Sequence, residues 1–103
     1  MGDRSQVCIK DGSSKVYLYG HWSGSEIYKQ TAAAMKRVPD RLQDSEYLAR
    51  AIFCEMIHGD DWKGETGYGI GTGAHGDVEH LIPVLDCDSQ TVTWEMPEWD
   101  HNR

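Results

Sequence analysis

Side chains that commonly bind metal ions occupy three alternate positions in the second half of the chain: His75, Asp77 and Glu79. Alternate residues of an extended strand project from one face, about 7 Å apart, so His75 and one of the two carboxylates could bind a divalent cation. A further ligand, His21 or His58, would have to come from elsewhere in the fold. Because spacing alone does not bring three ligands together, we expect no resident metal or cofactor. A small metal-dependent hydrolase or a small-ligand-binding module built on this cluster is the alternative function.

Three aromatic side chains and a histidine lie close together in sequence, in and just after the second β-rich segment: Tyr17, Tyr19, His21 and Trp22. They could line a pocket for a small ligand or, with two nearby lysines, form a surface on which bases stack. The formal net charge of −7 at pH 7 disfavours binding to a polyanion. We therefore treat the four residues as ligand-pocket candidates and expect no direct contact with nucleic acid.

Two glycine-containing segments resemble functional motifs but lack their defining positions. In the segment from Gly20 to Gly24, Ser23 is displaced by one position from the serine of a nucleophile elbow. The alternating glycines from Gly67 to Gly73 precede another loop-forming segment, whereas a dinucleotide-binding fingerprint requires a helix there. The sequence therefore favours a non-enzymatic protein, and we assign no catalytic residue.

The charge of the chain is unevenly distributed. Residues 1–54 contain eight Lys/Arg and six Asp/Glu, whereas residues 55–103 contain two Lys/Arg and eleven Asp/Glu. Such an acidic half is either a solubilising surface or an interface that steers a basic partner toward an aromatic anchor. We expect an interface with a basic protein surface, and its candidate residues are Asp60, Asp61, Trp62, Glu65, Asp77, Glu79, Asp86 and Asp88.

Length and composition indicate one globular domain. The 103 residues are 39% hydrophobic and contain three widely spaced cysteines, which predicts reduced thiols rather than a disulfide framework. The sequence contains neither an apolar leader nor a stretch long enough to span a membrane. We expect a cytoplasmic protein that does not contact membranes, with residues 1–96 as the domain and 97–103 as a short acidic tail. An oligomer is compatible with the sequence.

The elements that must position these residues begin with a hairpin. Residues 6–10 and 15–19 are rich in β-forming residues and flank a turn at Asp11–Ser14. A first helix is predicted from a capping box at Ser23 and Glu26 to Pro39. A second is predicted from Asp44 or Ser45 to Ile57 or His58.

Three strands are predicted after the helices. The middle of the glycine-rich segment 67–73 forms a short strand, and residues 80–86 form another, in which Pro83 indicates an edge or a bulge. Residues 91–96 form the last strand, with Val92 and Trp94 on one face. The predicted fold is α+β, an antiparallel sheet in the order ββααβββ with both helices on one face.

A resemblance adds one expectation. The segments Val16–Gly24, Tyr47–Arg50 and Gly64–Gly71 resemble a family of short uncharacterised proteins from phages and mobile elements. This resemblance implies no established activity, but it favours a small protein that blocks host defence or nucleic-acid enzymes. With the acidic half, it predicts an interaction protein of the phage-inhibitor type, directed at the basic surface of a nucleic-acid-binding protein.

Overall fold

The computed structural model describes residues 3–21, 24–58, 67–73 and 78–95 and confirms the α+β class with two helices. One-turn 3-10 helices at Gly24–Glu26 and Pro39–Arg41 precede the two α-helices. The strands and α-helices, in chain order, are β1 (Ser5–Asp11), β2 (Ser14–Gly20), α1 (Ile27–Arg37), α2 (Ser45–Met56), β3 (Tyr68–Gly71), β4 (Ile82–Asp86) and β5 (Thr91–Glu95).

The five strands form one mixed sheet in the spatial order β3-β2-β1-β4-β5. The prediction of an antiparallel sheet is wrong because β4 pairs with β1 in parallel, and the order in the sheet departs from the order along the chain. β3 adds to the free edge of β2, so the chain must cross the sheet before β4 can pair with the free edge of β1. Such a crossover brings the next strand back in the same direction.

The first hairpin forms as predicted because its turn contains a glycine where one is needed. Asp11 pairs with Ser14, so the loop has two residues, and its first residue, Gly12, has φ +64°. A glycine at this position suits the type II′ turns that match the twist of paired strands. The register places Val7, Ile9 and Leu18 on one face.

Both helices cover that face of the sheet. Ile27 and Ala34 of α1 and Leu48, Ile52 and Met56 of α2 are all at least 98% buried in one core with the inward side chains of β1 and β2. Burying each of the four larger of these side chains contributes roughly 1.5–3 kcal/mol before chain entropy is subtracted, and Ala34 contributes less. The two helices are therefore held mainly by this shared core.

The helix ends follow local chemistry only in part. At the start of α2, the Asp44 carboxylate accepts a hydrogen bond from the Tyr47 amide (3.2 Å), as the capping prediction required. Ser23 of the capping box predicted for the first helix lies outside the described residues. That helix begins at Ile27 after a 3-10 turn, and its N-cap is Glu26. The helix ends at Arg37, and Pro39 opens the next 3-10 turn.

Pro83 does not mark an edge, because β4 lies between β1 and β5. The pairing of β4 with β1 begins one residue after Pro83, at Val84 opposite Cys8. The amide of Cys87 donates to the carbonyl of Lys10 (2.8 Å), so the odd-numbered residues of β4 direct their backbone groups toward β1. Pro83 thus occupies the start of the paired segment, where its missing N–H breaks no hydrogen bond to β5.

No helix among the described residues is long and apolar enough to cross a membrane.

Candidate interaction surface

The two edges of the sheet differ in how readily they could accept another strand. β3 is four residues long and contains Gly69 and Gly71, which weaken a strand. β5 has the sequence Thr-Val-Thr-Trp-Glu, rich in β-branched and aromatic residues, and Thr91 to Trp94 are exposed. Natural edge strands are usually protected by lysine, proline, a bulge or a covering segment. The sequence of β5 contains neither lysine nor proline.

The backbone of β5 directs some of its hydrogen-bonding groups toward β4 and the others outward at this edge. Because the odd-numbered residues of β4 face β1, its even-numbered residues face β5, and Val84 pairs with Thr93. Thr91, Thr93 and Glu95 therefore direct their N–H and C=O groups toward β4. Val92 and Trp94 direct theirs outward, and among the described residues no other strand adjoins this side of β5.

An apolar groove lies beside this edge, between α1 and the helix-facing side of β4 and β5. Its volume is about 170 Å³, and its walls include Ala32, Met35, Pro83, Val92 and Trp94. A smaller cavity of about 80 Å³ also has Met35, Leu85 and Val92 in its walls and extends the apolar surface toward Leu48. The two cavities share Met35, Leu85 and Val92, and polar residues at the β4–β5 turn border the smaller one.

Large apolar side chains near the groove remain exposed. Trp94 is 55% exposed, Val92 47%, Leu81 42% and Tyr28 39%. The rings of Tyr28 and Trp94 meet edge to face, with centroids 5.3 Å apart, and the Tyr28 hydroxyl donates to the Leu81 carbonyl (2.9 Å). Exposed apolar side chains of this size near one groove are typical of an interaction site. We call these four residues, with the outward backbone of β5, the β5 patch.

One polar atom in the groove lacks a hydrogen bond. Thr31 is 5% exposed, and its hydroxyl oxygen is buried with no partner in the described part of the chain. A buried hydroxyl without a partner is costly, since a hydrogen bond to water has been lost and not replaced. This oxygen is already enclosed by the protein, so it is not a contact point for an occupant of the groove.

The opposite face of the sheet is closed by Tyr17, one of the predicted ligand-pocket residues. Its hydroxyl donates to the Glu95 carboxylate of β5 (2.9 Å), although β1 and β4 lie between the two strands. Three strand spacings of about 4.8 Å separate β2 from β5, so the phenol must lie across the sheet. It lies in one buried cluster with Cys8 and Val84, and Tyr17 itself is only 3% exposed.

Burial changes the proton affinities on this face. Burial raises the pKa of Tyr17 above its ordinary value, and the hydrogen bond to Glu95 raises it further. Burial also raises the pKa of the Cys8 thiol, an effect that its hydrogen bond with Tyr17 partly offsets. Both groups are therefore neutral at physiological pH, and Tyr17 acts as a donor that braces β5 from this side.

The other ligand-pocket candidates are brought together only in part. The Tyr19 hydroxyl and Nδ1 of His21 are 3.0 Å apart, and their ring centroids are 6.3 Å apart. Trp22 lies outside the described residues. A cavity of about 510 Å³ lies elsewhere, between the first hairpin and the start of α2. It is bordered by Asp11, Lys15 and Glu46, so its charge is mixed.

Three of the acidic interface candidates lie in the described residues, and the carboxylates of two of them, Glu79 and Asp86, accept hydrogen bonds from the backbone. A Glu79 carboxylate oxygen accepts from the Arg4 amide (2.9 Å), and the Glu79 amide donates to the Arg4 carbonyl. Asp86 accepts from the amides of Asp88 and Ser89 in the β4–β5 turn, and the bond from Ser89 is the main cause of its lowered pKa. Asp88 is exposed. The interface candidates outside the described residues are Asp60, Asp61, Trp62, Glu65 and Asp77.

Of the three candidate metal ligands, the structure describes only Glu79. His75 and Asp77 lie outside the described residues, and Glu79 binds the backbone of Arg4. Within residues 3–21, 24–58, 67–73 and 78–95, no three His, Cys, Asp or Glu side chains are grouped so as to hold a metal ion.

A junction near the start of β1 fixes the entry to both α1 and β4. The Asp3 carboxylate lies 2.7 Å from Nε2 of His80, and the Asp3 carbonyl accepts from the Gly24 amide (2.7 Å). A Cβ on Gly24 would collide with the Asp3 carbonyl oxygen and lie 2.8 Å from the His80 ring. Gly24 is therefore required by close backbone approach.

The sequence predicts which side chains of the β5 patch share a face, but it does not predict that they are exposed. The alternation of Val92 and Trp94 predicted that these side chains share a face, and they do. That β5 would be an edge strand, only partly covered by α1, depends on the pairing of β4 with β1.

Comparison of the chain with protein-family models, with curated proteins and with solved structures yields no match.

Proposed function

We propose that this protein is an interaction protein that binds an extended segment of a partner polypeptide along β5. The observation that carries the proposal is the coincidence of outward backbone groups at Val92 and Trp94 with the exposed apolar groove. In strand addition, backbone hydrogen bonds supply affinity, while alternate side chains of the added strand enter neighbouring pockets and supply specificity. The β5 patch offers both elements side by side.

The proposed partner is basic. The net charge of −7 would attract a cationic surface and accelerate its association, whereas an acidic partner would be repelled. The described residues contain eight Lys/Arg and eleven Asp/Glu, so six of the seventeen carboxylates lie outside them. The net charge therefore supports a positively charged partner surface, and the β5 patch supports the place where that partner binds. The resemblance to short phage proteins favours a nucleic-acid-binding protein of the host as that partner.

The test compares two edges of the same sheet. Immobilised wild-type protein is incubated with lysate of the native host at low and moderate salt, beside the variants Trp94→Lys and Ile70→Lys. Ile70 is 64% exposed on the other edge strand, β3, and serves as the matched control. A captured protein is then purified and mixed with the wild-type protein, and hydrogen exchange of the wild-type backbone amides is compared with and without it.

The proposal predicts a basic protein that is retained by wild type and Ile70→Lys, lost by Trp94→Lys, and released as salt rises. The backbone amides of Val92 and Trp94 should be protected in the complex. Salt reverses the attraction because exposed charges are screened beyond about 8–10 Å near physiological ionic strength. Equal retention by both variants would place the contact elsewhere, and salt-insensitive capture would contradict a basic partner.

A further inference from the structure

The backbone of β5 is complementary to itself. Two copies of β5 can pair antiparallel about a two-fold axis through Thr93, which places Val92 of one copy opposite Trp94 of the other. Val92 and Trp94 are the two residues whose backbone groups point outward, so both pairs exchange two hydrogen bonds each, about four in total. A symmetric dimer requires such a self-complementary surface.

The side chains fit this register. Val92 and Trp94 lie on the same face, so each Val–Trp pair across the axis joins a β-branched residue to an aromatic one, a favourable combination. On the other face the two Thr93 side chains meet at the closely spaced, non-hydrogen-bonded position.

We infer that, in the absence of its partner, β5 is covered by β5 of a second copy of this chain, in a dimer centred on Thr93. An aromatic side chain buries about 150–250 Å² in full, so the exposed fractions of Tyr28 and Trp94 leave roughly 150–230 Å² of aromatic surface per copy to be covered. Val92 and Leu81 add to this area. The total for both copies stays below the roughly 1,000 Å² that a stable interface buries, which indicates a weak, concentration-dependent dimer rather than an obligate one.

The dimer would regulate the proposed function, and this consequence depends on that function. The same edge cannot pair with a second copy and with a partner segment at once, so the partner must displace the second copy. The two events respond to salt in opposite directions. Two chains of charge −7 repel each other, so screening strengthens the dimer, whereas screening weakens attraction to a basic partner.

Sedimentation equilibrium tests the dimer without any partner. The purified protein is examined from about 5 to about 500 µM, in low and in high salt, because weak dimers dissociate in this range. Wild type should show a monomer–dimer equilibrium that shifts toward dimer in high salt. In Val92→Pro an outward N–H is lost while the bonds between β4 and β5 remain, so the fold should persist and dimerisation should weaken at least about tenfold. Ile70→Lys should dimerise like wild type.

Cysteine cross-linking tests the register. In a Cys54→Ser background, which removes the exposed thiol, Thr93→Cys should form a disulfide-linked dimer under mild oxidation. The paired positions across the axis lie about 4.5 Å apart, within reach of a disulfide. Thr91→Cys is the control, because its counterparts would lie about 13 Å apart. A monomer at every concentration and salt, or equal cross-linking at both positions, would overturn the inference while leaving partner binding to be judged by its own assay.

Discussion

Removing the Tyr17 hydroxyl should destabilise the protein by a predictable amount. In Tyr17→Phe the ring that covers Cys8 remains, but the bond to Glu95 (2.9 Å) is lost. A hydrogen bond to a charged group contributes about 1.5–3 kcal/mol, and Glu95 is only half-buried, so water can replace part of it. We expect the free energy of unfolding to fall by about 1–2 kcal/mol. For a domain of this size, the melting temperature should fall by roughly 5–15 °C.

The assay is urea and thermal unfolding at pH 7 of four proteins: wild type, Tyr17→Phe, Glu95→Ala, which removes the acceptor, and the double variant. If the two groups act through one bond, the double variant should be about 1 kcal/mol less destabilised than the sum of the single variants. Tyr47→Phe is the matched control, because Tyr47 is 40% exposed and its ring lies beneath Arg41. Its free energy of unfolding should change by less than about 0.5 kcal/mol.

The pH dependence provides an independent readout of the same bond. The pKa of Tyr17 is raised in the folded state, so the neutral phenol contributes stability that is complete below the ordinary tyrosine value of 10.0 and is lost as pH rises above it. Tyr17→Phe should therefore lose less stability than wild type between neutral and strongly alkaline pH. A loss below about 0.5 kcal/mol at pH 7, an additive double variant and an unchanged alkaline slope would together refute the bracing role of Tyr17.

Other residues permit simpler tests. In Asp86→Asn the turn keeps an acceptor but loses a carboxyl with a lowered pKa, so urea midpoints should fall less steeply than in wild type as pH drops below 3.8. Gly24→Ala should be destabilised by more than about 1 kcal/mol in the same urea assay, since its Cβ meets backbone. Of the three thiols, only Cys54 should react quickly with a thiol reagent. Cys8 and Cys87 are buried with raised pKa values and should react only on unfolding.

The local features of the fold could be predicted because their causes are local. Gly12 supplies the positive φ of the first turn, Pro39 prevents the first helix from continuing, and the Asp44 side chain caps the second. Each effect depends on residues within one turn of chain. Val7 and Ile9 alternate with Cys8 along β1, so their position on opposite faces of the sheet also follows from local spacing.

The pairing of distant strands could not be predicted in this way. Nothing near Pro83 indicates that β4 will lie beside β1, because that pairing is decided by which edge of the hairpin β3 leaves free. Pro83 then avoids the usual penalty only because the ladder with β1 begins after it. The same non-local choice turns β5 into an edge, so the candidate site depended on the part of the fold that local patterns do not determine.

The edge strand is braced from both faces, which bears on how it could bind. On one face Glu95 accepts the hydroxyl of Tyr17 from β2, and on the other Trp94 packs edge to face on Tyr28 from α1. An exposed edge held only by β4 would fray, and a partner strand would have to order it on binding. Because both neighbouring side chains are fixed before binding, less conformational entropy remains to be lost. The same bracing would favour pairing with a second copy, so the acidic charge of the chain is what can separate the two occupants: it opposes a second copy and attracts a basic strand.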